Sequence, residues 1–155
     1  TVGIWQFYSS FGSELSNRED FIPMRMIFVN LPIKNLAASK AFFAALGFSF
    51  NPDFSDEKTT CVIIEENIFA MLMEEDRFKD FINNGISDAT KSQEVLIALS
   101  AASKEEVDET FAKAIAAGGK EWKPKQDYEG FMYGCSFQDI DGHVWEIVHM
   151  VPQAQ

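Results

Sequence analysis

The segment VWEIVHM carries the side chain best placed for chemistry, Glu146. In a strand, successive side chains alternate between faces, so Val144, Glu146 and Val148 share one side and Trp145 and Ile147 the other. If Trp145 and Ile147 pack against a helix, Glu146 points the opposite way, into whatever cavity the sheet encloses. A partly desolvated carboxylate there is a candidate general base, or an anchor for a cationic ligand group. Asn30, within FVNLP, could orient a ligand through its combined donor and acceptor, or equally satisfy a backbone group. Tyr128 and Tyr133 lie in the Gly-containing aromatic stretch DYEGFMYG, where a loop at a cavity mouth could contact a ligand or simply close the core. His143, in the turn DIDGHVW, reads as solvated. His149 shares the face of Trp145 and Ile147, as a buried or rim histidine. The two histidines stand roughly 20 Å apart along an extended strand, too far to share an ion. Cys61 sits in an apolar run and reads as a small hydrophobe with nothing nearby to activate it. There is no Gly-rich phosphate loop, no G-x-S-x-G elbow and no H-E-x-x-H.

The elements that must position these residues form a repeating series. MIFVNLPI reads as a strand with Ile27, Val29, Leu31 and Ile33 on one face and Met26, Phe28, Asn30 and Pro32 on the other. A helix follows, with Asn35 as N-cap, a stripe of Leu36, Phe43 and Leu46, and Gly47 as terminator. FSFNPDF, TTCVIIEE and NIFAMLMEE read as three strands, the last two joined at Glu66-Asn67. Residues 75–93 read as a short helix and linker. The order then recurs: strand EVLIALSA, and a helix opened by a Ser103/Glu106 capping box and ended by Gly118-Gly119. GKEWKPK, MYGCSFQDI and HVWEIVHMV complete the set as strands, with Asp141-Gly142 as the last turn. The expectation is α+β, two βαβββ modules (about 26–75 and 94–152) within a domain spanning 24–152. Residues 1–23 match neither period and read as an extension.

The composition bounds the function. The 155 residues carry a net charge of −11, are 46% hydrophobic and 14% aromatic, and include 15 Phe. Such a chain can bury a core, and its acidity repels phosphate backbones, so nucleic acid is not an expected partner. No apolar run reaches the ~18–20 residues of a membrane span, no secretory signal pattern is seen, and two distant cysteines suit a reducing, cytoplasmic setting.

The segments FVNLPIKNLAASKAFFAALGF and SFQDIDGHVWEIV resemble the opening strand–helix and the closing hairpin of the glyoxalase/bleomycin-resistance/extradiol-dioxygenase superfamily, the vicinal-oxygen-chelate fold. The stretch Asp127–Glu146 is similar to the ending DYGFMYGxSFxDxDGHxWE of a branch of predicted lactoylglutathione-lyase-like proteins, apart from the inserted Glu129. The resemblance covers about residues 26–152. It implies a curled sheet around a cavity with helices outside, commonly a homodimer, and in metal-dependent members four His/Gln and Glu ligands on four inner strands. Carried over, those positions fall on Phe28, Met71, Leu96 and Glu146. Phe and Leu offer no lone pair, and a thioether suits Cu(I) better than Mg, Ni, Zn or Fe(II). The expectation is therefore a small-molecule-binding protein with no metal cofactor, Glu146 as the candidate catalytic group, and Phe28, Asn30, Met71, Leu96, Tyr128 and Tyr133 lining the ligand site. The alternative is a metal-dependent lyase or dioxygenase using a non-standard set, for instance Glu94 with Glu146. In either case the partners expected are a small organic ligand and a second copy of the chain, with neither nucleic acid nor membrane.

Overall fold

Strand β1 (Ile27–Ile33) leads into helix α1 (Leu36–Ala45), then β2 (Ser49–Asn51), β3 (Thr59–Glu65) and β4 (Ile68–Glu74). After the short helix α2 (Glu75–Phe78) and a linker, the series repeats as β5 (Leu96–Ser100), α3 (Lys104–Ala116), β6 (Lys120–Tyr128), β7 (Met132–Gln138) and β8 (Val144–Met150). The computed structural model describes residues 25–151, so the extension expected over 1–23 lies outside the described residues. The strands form two four-stranded sheets of the same topology, ordered β1-β4-β3-β2 and β5-β8-β7-β6. In each, the first strand runs parallel to the last and the other neighbours are antiparallel. Among the described residues no hydrogen-bonded ladder joins the sheets, so these eight strands do not close into a barrel.

Local chemistry sets the helix boundaries. The Asn35 Oδ1 accepts from the Ala38 N–H (2.8 Å), and Gly47, at φ +99°, takes the left-handed conformation that ends α1. At α3, Ser103 Oγ accepts from Glu106 N–H at 3.2 Å. The reciprocal bond goes one residue further back than in a standard capping box, from the Ala102 N–H to Glu106 Oε2 at 2.6 Å. Two strand expectations shift. FSFNPDF yields only a three-residue strand, because Pro52 lacks an N–H and opens a 3-10 turn at Pro52–Phe54, capped by Asn51. β6 runs on to Tyr128, with every residue exposed; as an edge strand it tolerates Pro124, and its lysines at 120, 123 and 125 discourage pairing with another chain.

The main core lies on the helix side of both sheets. Leu31, Ile33, Ala70 and Leu72 from the first sheet and Phe137, Trp145 and Ile147 from the second are buried in one cluster with Phe42, Phe43 and Val107. α1 belongs to both halves: Phe43 meets Trp145 edge-on at 5.3 Å and Phe42 lies 6.4 Å from Phe137. Each buried Phe contributes about 1.5–3 kcal/mol of transfer free energy, so this helix is a principal joint between the modules.

Candidate functional site

The side chains of interest occupy the other face of each sheet. In the first, the strand pairing aligns Phe28 with Phe69 and Asn30 with Met71. In the second it aligns Leu96 with Val144 and Ala98 with Glu146. The two halves thus share a register, and Met71 and Glu146 hold equivalent places. Ser136 stands opposite Glu146 on the other side, and Lys123 opposite Ser136, giving the row Ala98–Glu146–Ser136–Lys123 on one face. Glu146 is half-buried, and no hydrogen bond or ion pair with the described residues engages its carboxylate.

The surroundings of Glu146 differ from the greasy ring expected for it. Its strand neighbours are Ala98 and Ser136, whereas Phe28 and Met71 belong to a separate cluster. Phe28 stacks on Phe69 with centroids 4.9 Å apart, and Met71 is only 4% exposed beneath Phe54, with Phe78 and Phe81 packed on the same cluster. Leu96, by contrast, is 54% exposed. Tyr128 is exposed at the end of β6, its hydroxyl donating to Gln126 Oε1 at 3.2 Å. Tyr133 faces the helix side, where its hydroxyl donates to Asp108 of α3 at 2.8 Å; the Asp108 carboxylate lowers the tendency of that phenol to ionise. Asn30 borders a sizeable cavity, described below.

The D-x-D-G-H turn does something the sequence reading missed. His143 is 7% exposed, not solvated, and its Nε2 lies 2.7 Å from the Pro32 carbonyl; a carbonyl only accepts, so this nitrogen carries the proton. Asp141 accepts from the Lys34 N–H through Oδ1 and from the Ser39 hydroxyl through Oδ2, both at 2.9 Å. Asp139, also buried, accepts from the N–H groups of Asp141 and His143 and from Trp145 Nε1. Burial pushes its carboxyl above the usual range, against the pull of those donors. The turn is therefore a clasp that fastens the second module to β1 and α1. The signal was in the spacing: alternate Asp side chains before a Gly, with a buried Trp two residues after the His.

A cleft of about 500 Å³ lies along β1, walled by the linker before β5; Asn30, Pro32, Phe78, Ile86, Val95 and His143 are among its lining. Asn30 Nδ2 donates to the Phe28 carbonyl at 3.1 Å, while its Oδ1 is buried without a partner. Among the described residues, the other buried side-chain atom without a partner, Thr59 Oγ1, lies on the same face of the first sheet, since Thr59 and Pro32 both align with Met73. A larger groove of about 960 Å³ between β3–β4 and β5–β8 includes neither Asn30 nor Glu146.

These donors do not fit a divalent ion of the kind the fold family implies. Glu146 is the one ligand type at the four corresponding positions, and its nearest strand neighbours, Ala98 and Ser136, offer no imidazole or carboxylate. Among the described residues no group of three or more His, Cys, Asp or Glu side chains is arranged to hold a metal. Glu94 lines the β1 cleft instead.

Comparison with known proteins places this architecture. Residues 25–65 match the family model described as bleomycin resistance protein-like N-terminal. A hypothetical protein from S. aureus is 30% identical, with 81% of this chain and 94% of that chain aligned and a TM-score of 0.69. A glyoxalase-related enzyme from Fulvimarina pelagi shares the fold at 18% identity, covering 81% and 88% of the two chains with a TM-score of 0.70. So does a fosfomycin resistance protein, FosX, from Listeria monocytogenes, complexed with Mn(II) and a dihydroxypropylphosphonic acid, at 22% identity, 82% and 90% coverage and a TM-score of 0.58. The search of curated proteins returned no match. The chain belongs to the glyoxalase/bleomycin resistance/dioxygenase superfamily, the vicinal-oxygen-chelate fold.

Proposed function

We propose that this chain is a small-molecule-binding member of the superfamily that works without the metal its fold relatives can carry. The observation that carries the reading is the replacement of three ligand positions by Phe28, Met71 and Leu96, two of them on a face packed with other apolar side chains. A single half-exposed carboxylate does not hold a catalytic divalent ion, which takes at least three protein ligands. Glu146, uncommitted and beside Ser136, remains the group able to take a proton from a ligand or pair with a cationic one.

The reading includes a homodimer in the cytoplasm. Leu96, Tyr128 and Met150, exposed apolar side chains on the open face of the second sheet, favour association with a second copy. Two free, buried cysteines favour a reducing compartment. No described helix is long and apolar enough to cross a membrane.

Elemental analysis of untagged protein tests the central claim. The expected result is divalent metal well below one ion per chain, and no rise in Tm on adding Mn(II), Ni(II), Zn(II) or Fe(II). Stoichiometric metal that disappears in Glu146→Ala would overturn it. Light scattering at micromolar concentration tests the dimer, which a monomer would refute.

A further inference from the structure

We propose that residues 83–94, the linker between the modules, form a gate that lifts as one unit from β1 and the D-x-D-G-H turn. The motion needs no ligand; its use by a small molecule rests on the reading proposed above.

The linker is tied to itself and to little else. It contains neither strand nor helix. The Asp88 carbonyl accepts from the N–H groups of Lys91 (2.9 Å) and Ser92 (3.0 Å), and Asp88 Oδ1 accepts from the Thr90 N–H and hydroxyl. Lys91 Nζ lies 3.0 Å from the same carboxylate, Ser87 and Ser92 meet through their hydroxyls, and Gln93 Nε2 donates to the Ala89 carbonyl. Among the described residues, no member of 83–94 hydrogen-bonds to, or forms an ion pair with, a residue outside the segment. Lifting it whole therefore breaks no polar contact. Burial adds little tether, since Ile86 and Ala89 are half-buried and the other residues exposed. Segments with few buried apolar contacts open at low free energy while the rest of a fold stays shut.

The space beneath gives the motion a use. The cleft of about 500 Å³ and a second of about 380 Å³ share Pro32, Ile86, Ser87, Ala89 and His143 in their linings. The linker thus crosses a single trough and divides it, facing Pro32 of β1 and His143 of the turn. Raised, it joins the two clefts into one site open from the linker side. It also brings Asn83, Asn84, Ser87, Ser92 and Gln93 to the larger cleft, so a molecule bound there is held by groups that travel with the gate.

Gly142 sets the closed position. A Cβ at this residue would lie 2.9 Å from the Thr90 nitrogen and 3.0 Å from both the Ala89 carbonyl carbon and Thr90 Cγ2, so the linker backbone can seat only on a glycine. Gly85, near the other end, is uncrowded: a Cβ there would meet nothing within 4 Å. Closures of this kind turn on a few loop residues that absorb the change in φ and ψ.

Distances between spin labels test the gate, because freezing captures each conformer whatever its lifetime. Cys61 and Cys135 are buried, so nitroxides attach to the thiols introduced by Lys91→Cys in the linker and Lys113→Cys on α3. Lys58→Cys with Lys113→Cys is the reference pair within the body. Adding Gly142→Ala should give the linker pair a second, displaced distance as narrow as the first and leave the reference unchanged. A single unchanged distance, a broad featureless distribution, or an equal shift in the reference pair overturns the gate. Should Gly142→Ala fail to fold, Ala89→Trp drives the same wedge from the linker side and is read the same way. Stopped-flow fluorescence with 2-naphthylmethanol then tests the use. A minor open state holds at most about 10% of molecules, so raising it to about half should quicken association roughly fivefold or more. A displaced linker with an unchanged association rate refutes gating while the motion stands. A displaced linker with no saturable binding of the probe counts against the small-molecule reading and leaves the motion intact.

Discussion

Replacing Asp141 by Ala deletes two hydrogen bonds between the modules in one step, and its cost follows from what each partner is left with. The Lys34 N–H is exposed and can turn to water, so its loss is worth about 0.5–1.5 kcal/mol. Ser39 is fully buried, and stranding its hydroxyl costs about 1–3 kcal/mol. The sum, roughly 2–4 kcal/mol, corresponds to a fall in Tm of about 5–15 °C for a chain of this size. Asp141→Asn keeps an acceptor for Lys34 and offers the Ser39 oxygen a donor, so it should lose under about 1 kcal/mol. Ser39→Ala removes the stranded group itself. The double variant Ser39→Ala/Asp141→Ala should therefore be less destabilised than the sum of the singles, with a coupling of about 1–2 kcal/mol. Urea unfolding of the four proteins measures the cycle. If Asp141→Ala lies within 0.5 kcal/mol of wild type, or the effects simply add, the turn is not the clasp described above.

Gly142 tests the same turn from the linker side: it sits at φ +92°, and a Cβ there would lie 2.9 Å from the Thr90 N. Gly142→Ala should cost at least about 2 kcal/mol and move the resonances of 82–95 that wall the cleft; a silent variant would refute the contact. Burial pushes the Cys61 and Cys135 thiols up to about 11, so both should react with Ellman's reagent at pH 8 only as fast as the protein opens, and rapid labelling would contradict their burial. For Asp139 the folded carboxyl lies above its unfolded value of 3.8, so the native state binds its proton more tightly. Its protonation stabilises the fold at low pH, and that contribution is lost as pH rises through the raised value. Asp139→Asn, which mimics the protonated form, should therefore be most destabilising near the unfolded pKa and less so towards neutrality. A destabilisation that grows with pH would reverse the assignment.

Periodicity made the repeated βαβββ order legible because each element buries one face only. Val29, Leu31 and Ile33 alternate into the main core as expected, whereas Ile27 at the start of the strand is exposed, and Asn35, Gly47 and Ser103 mark helix ends through bonds confined to a few residues. The parity of VWEIVHM placed Trp145 and Ile147 against the helices and left Glu146 on the other side. Tertiary contacts were not legible. Whether His143 is solvated depends on Pro32, 111 residues away, and whether Met71 borders a cavity or a wall depends on Phe54, Phe78 and Phe81 arriving from turns whose path no local pattern fixes. Tyr133 and Tyr128 lie five residues apart across a turn, and only the pairing of β6 with β7 shows that they face opposite ways.

The duplication gives the chain two sheets of the same topology whose outer faces have different surroundings. The main core lies on the helix side, and the two opposite faces differ. The first carries a second apolar core, whereas the second is open around Glu146. Introducing a carboxylate or imidazole should then be costly on the first face and tolerated on the second. Met71→Glu places a carboxyl at a position 4% exposed among Phe54, Cys61, Phe69 and Met73, where it must stay protonated or disrupt the cluster; about 3 kcal/mol or more of stability should be lost at neutral pH. Burial raises the pKa of the new carboxyl, so the deficit should widen as pH climbs from the unfolded value through the raised one. Leu96→His alters a side chain 54% exposed and should change stability by no more than about 0.5 kcal/mol. Urea unfolding of both variants between acid and neutral pH distinguishes the halves. Equal costs, or a Met71→Glu deficit indifferent to pH, would mean that the first face is not sealed.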